Sequence, residues 1–384
     1  MNFQKIIIFL WLLLDVIGIA IIIPAFPELV DYYGVSQAKI MLWLTVYSLF
    51  AFLSAPVLGQ LSDKYGRKRL LAGCIFGTFL STLILLLSRQ YRVFLLSRIV
   101  NGITGGNISI LQAILTDISP DEATKSKNYG LMGALFGLGF IIWPVIWSLI
   151  LKFGHVESIF KFSVVFALIE FVLIAVQFRN TNIPQSTKIL NFNSFSLMWD
   201  YFKREGFRVL LISMSLLGIG WFMIHTGLSF YMKDAFNTSG AVFGYYLWIS
   251  GLLSALTMGY LTPKFWTKRF SHRTLFILAH TVLILGYLLI PQIRSERGFL
   301  LLFYSIVLLS NYYMTVYNIE LMSKADPNEI GEVSGMLGGA QSLFMFVGPL
   351  LASVVVDNGG NIFYGAVVCF AISAVVMFKR MIKE

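Results

Sequence analysis

Long uninterrupted apolar segments constrain this chain more than any other feature. Each is about 20 residues long, which is the length that an α-helix needs to cross a hydrocarbon core of about 30 Å. Twelve such runs lie at roughly 5–29, 40–60, 70–87, 93–116, 128–151, 160–178, 207–232, 240–262, 274–291, 299–319, 333–356 and 361–378. They are continuously apolar and do not alternate with polar residues, which excludes the strands of a membrane β-barrel. The sequence therefore predicts an all-α integral membrane protein with twelve transmembrane helices.

Composition agrees with a bilayer as the main solvent. Of the 384 residues, 57% are hydrophobic and only 12% are charged, about half the charged share of a soluble domain. The net charge of +10 is carried by short segments between the apolar runs, so we expect no nucleic-acid partner. Cys74 and Cys369 both fall inside predicted spans and indicate no disulfide framework. The first 23 residues contain Asp15 and no small-residue cleavage site, so we interpret them as the first span and not as a signal peptide.

The distribution of Lys and Arg predicts the orientation. If the N-terminus is cytoplasmic, cytoplasmic segments hold 20 of the 29 basic residues, the opposite side holds 8, and Arg98 lies within a span. Positive charge is enriched on the cytoplasmic side of membrane proteins. We therefore expect both termini in the cytoplasm of a multi-pass protein in the plasma membrane (the bacterial inner membrane).

The longest polar segment divides the chain into two halves. The predicted domains are a six-helix bundle over 1–178, a cytoplasmic linker over 179–206 and a second six-helix bundle over 207–384. Within the linker, Phe195, Met198, Trp199 and Phe202 have the i, i+3, i+4, i+7 spacing of a helix on the membrane surface; a disordered linker is the alternative. Pro120-Asp-Glu followed by Gly130-Leu-Met-Gly parallels Pro327-Asn-Glu followed by Gly335-Met-Leu-Gly. This repeat favours duplication, with a site near mid-membrane between the halves.

The sharpest motif is Gly59-Gln-Leu-Ser-Asp-Lys-Tyr-Gly-Arg-Lys-Arg-Leu70, between the second and third runs. It resembles the signature loop of the major facilitator superfamily. The resemblance implies that Asp63 and Arg67 form a charge-paired latch with Asp117, which closes the cytoplasmic side. The expected gate residues are Gly59, Asp63, Gly66, Arg67, Lys68 and Asp117. The alternative is that the bases only set membrane topology. The corresponding segment 259–273 keeps the bases but lacks the Asp and the second Gly.

The first run carries Asp15, with Gly18, Pro24 and Pro27 after it. This pattern resembles the first helix of twelve-span drug–proton antiporters, including the tetracycline exporters, which carry an Asp where Asp15 stands. A carboxylate within a span costs about 2.5–3.5 kcal/mol on insertion scales and indicates function. We interpret Asp15 as a reversible proton carrier; a structural Asp held by hydrogen bonds is the alternative.

The fourth run supplies a second buried charge, in a segment that resembles the family's Arg-and-glycine motif. Arg98, Asn101, Gly105, Ile108 and Gln112 recur at 3-4-3-4 spacing and so share one helix face. Arg98 is expected to couple electrostatically to Asp15, and Asn101 and Gln112 to line a polar cavity. Static pairing of Arg98 between helices is the alternative.

The fifth run resembles the glycine–proline motif of the family's antiporters through Gly133, Gly137, Gly139 and Pro144. Trp143 departs from it, because a Gly is expected before the Pro.

The seventh and tenth runs, which the resemblance places around the central cavity, supply aromatic and amide side chains. Such groups suit an amphiphilic organic substrate, although aromatic packing is an alternative for each residue. The expected cavity residues here are Trp221, His225, Asn311, Tyr313, Thr315, Tyr317 and Asn318. The resemblance places the helices of Glu170 and His280 outside the cavity, and the roles of these two residues stay open.

Several chemistries have no motif in the sequence. No GxxxxGK[ST] segment is present for ATP, no His/Cys cluster has metal-ligand spacing, and no Ser/His/Asp set lies on one aqueous surface. We therefore expect no cofactor and no enzyme activity. The sequence predicts a monomeric secondary transporter that exports an amphiphilic organic compound in exchange for protons by alternating access. The alternatives are a uniporter or symporter that imports a metabolite, and a non-transporting or lipid-translocating protein of the same fold.

Overall fold

The computed structural model describes residues 3–20, 25–105, 107–119, 156–177, 194–324 and 330–383, with isolated positions between 124 and 150. Within these ranges the chain is helical and contains no strand, as predicted. The longer helices are α1 (Phe3–Ala20), α2 (Phe26–Tyr33), α3 (Gln37–Tyr65), α4 (Arg67–Leu87), α5 (Tyr91–Gly105), α6 (Asn107–Asp117), α7 (Val156–Val172), α8 (Ser194–Lys203), α9 (Glu205–Phe236), α10 (Gly240–Leu256), α11 (His272–Leu289), α12 (Glu296–Ser310), α13 (Tyr313–Met322), α14 (Ile330–Asp357) and α15 (Ile362–Lys383).

The described ranges contain nine segments that are long and apolar enough to cross a membrane. The all-α membrane fold is thereby supported, while the count of twelve stays a prediction. The predicted fifth span, 128–151, lies largely outside the described residues. The predicted interfacial segment is a helix, α8, in which the rings of Trp199 and Phe202 stack with centroids 5.7 Å apart. Its place on a membrane surface stays a prediction.

The turn that begins α4 is shorter than the sequence suggests. Most of the motif from Gly59 to Leu70 is helical, and Gly66 alone separates α3 from α4. Gly66 has φ 94° and ψ 137°, a backbone conformation that residues with a Cβ avoid. This one glycine therefore reverses the chain and sets the polar ends of α3 and α4 side by side.

The corresponding segment 259–273 is mainly helical and is not a short loop. α10 continues as a π-helix over Thr257–Trp266 and as one more helical turn over Thr267–Arg269. Pro263 lies inside the π-helix, where its missing N–H removes a regular helical hydrogen bond. Only Phe270 and Ser271 lie outside helices, and Ser271 caps α11 by accepting from the Thr274 N–H at 3.2 Å.

The chain forms two compact units. Unit 1 comprises 1–35, 46–192 and 240–248, and unit 2 comprises 36–45, 193–239 and 249–384. In unit 1, side chains of α1, α4 and α6 form an apolar core that includes Trp11, Leu71 and Leu111. In unit 2, a buried polar network joins α9, α11, α13 and α15. Its members are Ser213, His280, Tyr317 and Ser373, linked by contacts of 2.6–2.9 Å.

Candidate functional site: a buried carboxyl, a polar cavity and two ionic clusters

Asp15 lies in α1 with only 5% of its surface exposed. Its Oδ1 accepts a hydrogen bond from Asn107 Nδ2 at 3.3 Å. Among the described residues, Asp15 Oδ2 has no hydrogen-bond partner. A carboxylate oxygen buried without a partner is energetically costly, so this arrangement suits a carboxyl that takes up a proton. Asn107 was not among the residues singled out from the sequence, since it lies off the face shared by Arg98 and Asn101.

Arg98 is also buried in unit 1, with 3% of its surface exposed. Its Nη2 donates to Ser81 Oγ of α4 at 3.0 Å, and its Nε donates to Ser97 Oγ at 3.1 Å. Asn101 is buried on the same helix, whereas the side chain of Gln112 lies outside the described part of the chain. These serine contacts fix the guanidinium on the α4–α5 side of the unit.

Tyr47 of α3 is a residue that the sequence analysis missed. It is buried, and its phenol interacts electrostatically with both Asp15 and Arg98. A Cβ added at Gly105 would lie 2.9 Å from the Tyr47 ring, so the glycine lets α5 approach this ring closely. Gly105 of the Arg-and-glycine motif indicated that a neighbour packs closely there. The sequence alone could not identify that neighbour as Tyr47.

The motif at the α3–α4 turn forms an ionic cluster, which we call the N-terminal latch: Ser62, Asp63, Arg67 and Asp117. Arg67 is buried; its Nε donates to Asp117 Oδ2 at 2.9 Å, and its Nη1 pairs with Asp63. Arg67 Nη1 also donates to Ser62 Oγ at 2.5 Å.

Two further expected gate residues border the latch. The carbonyl oxygen of Gly59 accepts a hydrogen bond from Ser62 Oγ at 2.6 Å. Lys68 follows Arg67 on α4 and is half-buried.

A small cavity lies within unit 2. Four of the predicted cavity residues line it, namely Trp221, His225, Asn311 and Tyr313, together with Ser250, Ser254 and Tyr287. The Trp221 and His225 rings stack with centroids 3.6 Å apart, and His225 Nδ1 donates to the Trp221 carbonyl at 3.0 Å. Asn311 lies where α12 ends and donates to Ser254 Oγ at 2.6 Å. Aromatic faces with a few polar groups are the surface that amphiphilic ligands bind.

The other residues predicted for this cavity lie elsewhere in unit 2. Tyr317 is fully buried and bonds to Ser213 Oγ at 2.6 Å in the polar network described above. Thr315 is half-buried and Asn318 is exposed, and neither lines the cavity. The break between α12 and α13 separates them from Asn311, because it interrupts the regular helical spacing that would have placed the three residues on one face.

Of the antiporter-type motif, Gly139 is helical and buried, while Gly133, Gly137 and Pro144 lie outside the described residues.

A second ionic cluster was not predicted; we call it the C-terminal cluster. His272 Nδ1 contacts Glu320 Oε2 at 2.9 Å, and Arg380 Nη2 donates to Glu320 Oε1 at 3.3 Å. His272 begins α11 and Glu320 lies near the end of α13, as Arg67 begins α4 and Asp117 ends α6. The internal repeat of the sequence was the signal that could have predicted the C-terminal cluster.

Among the described residues, no group of three or more His, Cys, Asp or Glu could hold a metal ion.

Comparison with known proteins identifies relatives over most of the chain. The family described as Major Facilitator Superfamily matches residues 8–349. The class C tetracycline resistance protein of Escherichia coli is 26% identical over 359 residues, covering 89% of this chain and 87% of that protein. The quinolone resistance protein NorA of Staphylococcus aureus is 25% identical over 372 residues, covering 93% and 91%.

Solved structures show the same fold. The human organic anion transporter MFSD10 aligns with a TM-score of 0.68 at 22% identity, covering 97% of this chain and 98% of that one. A bacterial homologue of the lysosomal transporter Spinster, inward-facing and unoccupied, aligns with a TM-score of 0.77 at 14% identity, covering 98% and 96%. At these identities the likeness bears on the fold alone. With the family match across residues 8–349, the chain belongs to the Major Facilitator Superfamily.

Proposed function

We propose that this protein is a proton-coupled antiporter that exports an amphiphilic organic compound by alternating access. The observation that carries the proposal is Asp15, a carboxyl buried in a helix of unit 1 with an oxygen that accepts no hydrogen bond from any described residue. Keeping such a group ionised in the membrane is costly, and protonation removes the cost. A carboxyl that must be neutral in one state and ionised in another can couple proton movement to a conformational change.

The substrate class is supported by two independent observations. Relatives that align over most of the chain are named for resistance to tetracycline and to quinolones, which are amphiphilic organic molecules. The cavity of unit 2 offers the stacked Trp221 and His225 rings beside the Asn311 amide. Stacking surfaces with a few hydrogen-bonding groups favour flat compounds that carry both apolar and polar parts.

The gating step is assigned to the N-terminal latch. In this proposal, Arg67 holds α3, α4 and α6 together through its contacts with Asp63 and Asp117 in the state that is closed to the cytoplasm. Opening to the cytoplasm requires these charge-assisted contacts to loosen, so the latch sets the balance between the two states.

The test is compound-driven proton flux in proteoliposomes that hold the purified protein and an internal pH indicator. The assay compares wild type, Asp15→Asn and Asp200→Asn with one another. Each protein is tested with three added compounds: a tetracycline, a quinolone and a lipophilic cationic dye. Asp200→Asn makes the same chemical change at a side chain that is 62% exposed on α8. We expect a compound-triggered proton signal in wild type and in Asp200→Asn, reduced at least about ten-fold in Asp15→Asn, which corresponds to about 1.4 kcal/mol.

Each outcome bears on a different part of the proposal. A full proton signal in Asp15→Asn would remove Asp15 as the carrier. Movement of a compound without any proton signal would instead support a facilitator. Uptake of the compound into energised cells, in place of its exclusion, would contradict export.

A further inference from the structure

Glu170 is a second carboxyl buried deep in unit 1. It lies near the end of α7 with 2% of its surface exposed. Among the described residues, its Oε1 has no hydrogen-bond partner. A buried carboxyl is costly in a membrane helix unless it serves a function or is fully paired. Neither the latch nor the cavity of unit 2 accounts for Glu170.

Asp15 is an ionisable residue on a helix that packs against the helix of Glu170. α7 packs against α1, and Trp11 and Leu12 of α1 share an apolar core with Phe171, which follows Glu170. Asp15 lies about one turn beyond this contact, and the two carboxyls interact electrostatically. The unpartnered oxygens, Asp15 Oδ2 and Glu170 Oε1, therefore belong to one apolar region of the unit.

The described groups around the pair are mostly uncharged; the Tyr47 phenol of α3 interacts electrostatically with Asp15 and also with Arg98. From α4, Cys74 is buried and interacts electrostatically with Asp15. From α2, Tyr32 packs on Phe160, almost three turns before Glu170. The segment Leu173–Gln177 that follows α7 contains no ionisable residue. Of the described cationic side chains, none forms an ion pair with either carboxyl, since the ion pairs found involve other acids.

Two neighbouring buried carboxyls without a cation do not ionise independently. The first ionised group already carries a desolvation cost, and a second like charge nearby adds repulsion. Such pairs lose their protons in two separate steps that belong to the pair and not to either residue. Between the two steps, the pair therefore holds one proton on two carboxyls.

We propose that Glu170 is a second proton-binding residue of this transporter and that it shares a proton with Asp15. This inference rests on the proposed function for the role of Asp15 in transport. When the O–H bond of Asp15 breaks, the proton is held by Glu170, which becomes the neutral acid while Asp15 becomes the carboxylate. The net charge of the pair stays at −1 during this transfer, and the buried region avoids a second negative charge.

The test is an infrared difference titration of the buried carboxyl C=O stretch in purified protein, in detergent and without substrate. Wild type is expected to titrate in two steps at least about one pH unit apart. Asp15→Asn and Glu170→Gln should each leave a single step, and the double variant should leave none. Glu157→Gln is the matched control, because Glu157 lies on the same helix, pairs with Arg89 and is 38% exposed; it should keep both steps.

Glu170→Asp distinguishes a proton site from a packing role, because it keeps the carboxyl while shortening the side chain. It should retain two steps, whereas a purely structural Glu170 predicts the same titration in Glu170→Gln as in wild type. Thermal unfolding of each variant shows whether it is folded. A Glu170→Gln titration that matches wild type would overturn the inference, as would a lack of any titrating step in Asp15→Asn.

The titration is independent of transport, so it fails separately from the proposed function. Two coupled titration steps without compound-driven proton flux would support the shared proton of Asp15 and Glu170 but contradict the antiport proposal. If proton flux depends on Asp15 but the infrared titration is unchanged in Glu170→Gln, the antiport proposal stands. The inference that Glu170 shares a proton with Asp15 is then wrong.

Discussion

The N-terminal latch and the C-terminal cluster occupy corresponding places in the two halves of the sequence but use different chemistry. In each, the first residue of a helix contacts a carboxylate near the C-terminal end of another helix, α4 with α6 and α11 with α13, at 2.9 Å in both cases. In the N-terminal latch that first residue is Arg67, which is buried and always charged. In the C-terminal cluster it is His272, which is 36% exposed and charged only when protonated.

The third partner differs as well. Asp63 comes from the helix that precedes Arg67, so the N-terminal latch places one cation between two carboxylates. Arg380 comes from the last helix, α15, so the C-terminal cluster places one carboxylate between an arginine and a histidine. The two clusters thus share the position of an ionic contact but not the arrangement of its charges. We infer that the N-terminal latch is the stronger of the two, because its guanidinium is buried and fork-shaped.

The largest effect is expected from breaking the N-terminal latch. Arg67→Ala leaves the Asp63 and Asp117 carboxylates and Ser62 without their shared donor, and hydrogen bonds to charged groups contribute about 1.5–3 kcal/mol. We expect a clear loss of thermal stability in detergent and at least a ten-fold loss of transport in proteoliposomes. Glu320→Gln removes the central charge of the C-terminal cluster. It should lower both thermal stability and transport by less than Arg67→Ala does.

Arg67→Lys is the control for charge alone, because an ammonium keeps the charge but loses the planar fork. It should fall between wild type and Arg67→Ala. Equal losses in Arg67→Ala and Glu320→Gln would contradict the ranking of the two sites.

The turns that hold the two clusters provide the second comparison. Gly66 has φ 94°, so Gly66→Ala forces a residue with a Cβ into a sparsely populated conformation, at a cost of about 1–3 kcal/mol. The turn before α11 has no positive φ and relies on the Ser271 cap, so Ser271→Ala should cost about 1 kcal/mol. Thermal unfolding of both variants beside wild type checks the order. A larger loss of thermal stability in Ser271→Ala would show that the Ser271 cap stabilises the protein more than the glycine turn does.

The sequence predicted the features that depend on local composition. Apolar run length predicted the helical membrane fold, and the motif around Asp63 and Arg67 predicted which residues meet at the α3–α4 turn. The burial of Asp15 followed from its place in an apolar run. These features needed little knowledge of which helices are neighbours.

Features that depend on helix neighbours were missed. Glu170 and Asp15 lie 155 positions apart on the packed helices α7 and α1, and no spacing rule connects them. Tyr317 was assigned to the cavity because it lies close to Asn311, Thr315 and Asn318 in the sequence, but it joins the Ser213 network instead. His272 was passed over because the segment 259–273, in which it lies, lacks the Asp of the N-terminal motif, whereas Glu320 supplies a carboxylate from another helix.

The smallest effect is expected from making the two clusters alike. His272→Arg replaces an imidazole, which is charged only when protonated, with a permanent cation beside Glu320. Partly exposed ion pairs contribute about 0.2–1 kcal/mol, so the thermal unfolding temperature should rise slightly.

His272→Gln separates charge from geometry, because it keeps a polar side chain that is neutral at every pH. If charge makes the difference, the His272→Gln variant should unfold at a lower temperature than His272→Arg. If all three proteins unfold alike, Arg380 alone satisfies Glu320. The C-terminal cluster would then be a two-residue contact between α13 and α15, and its likeness to the N-terminal latch would be positional only.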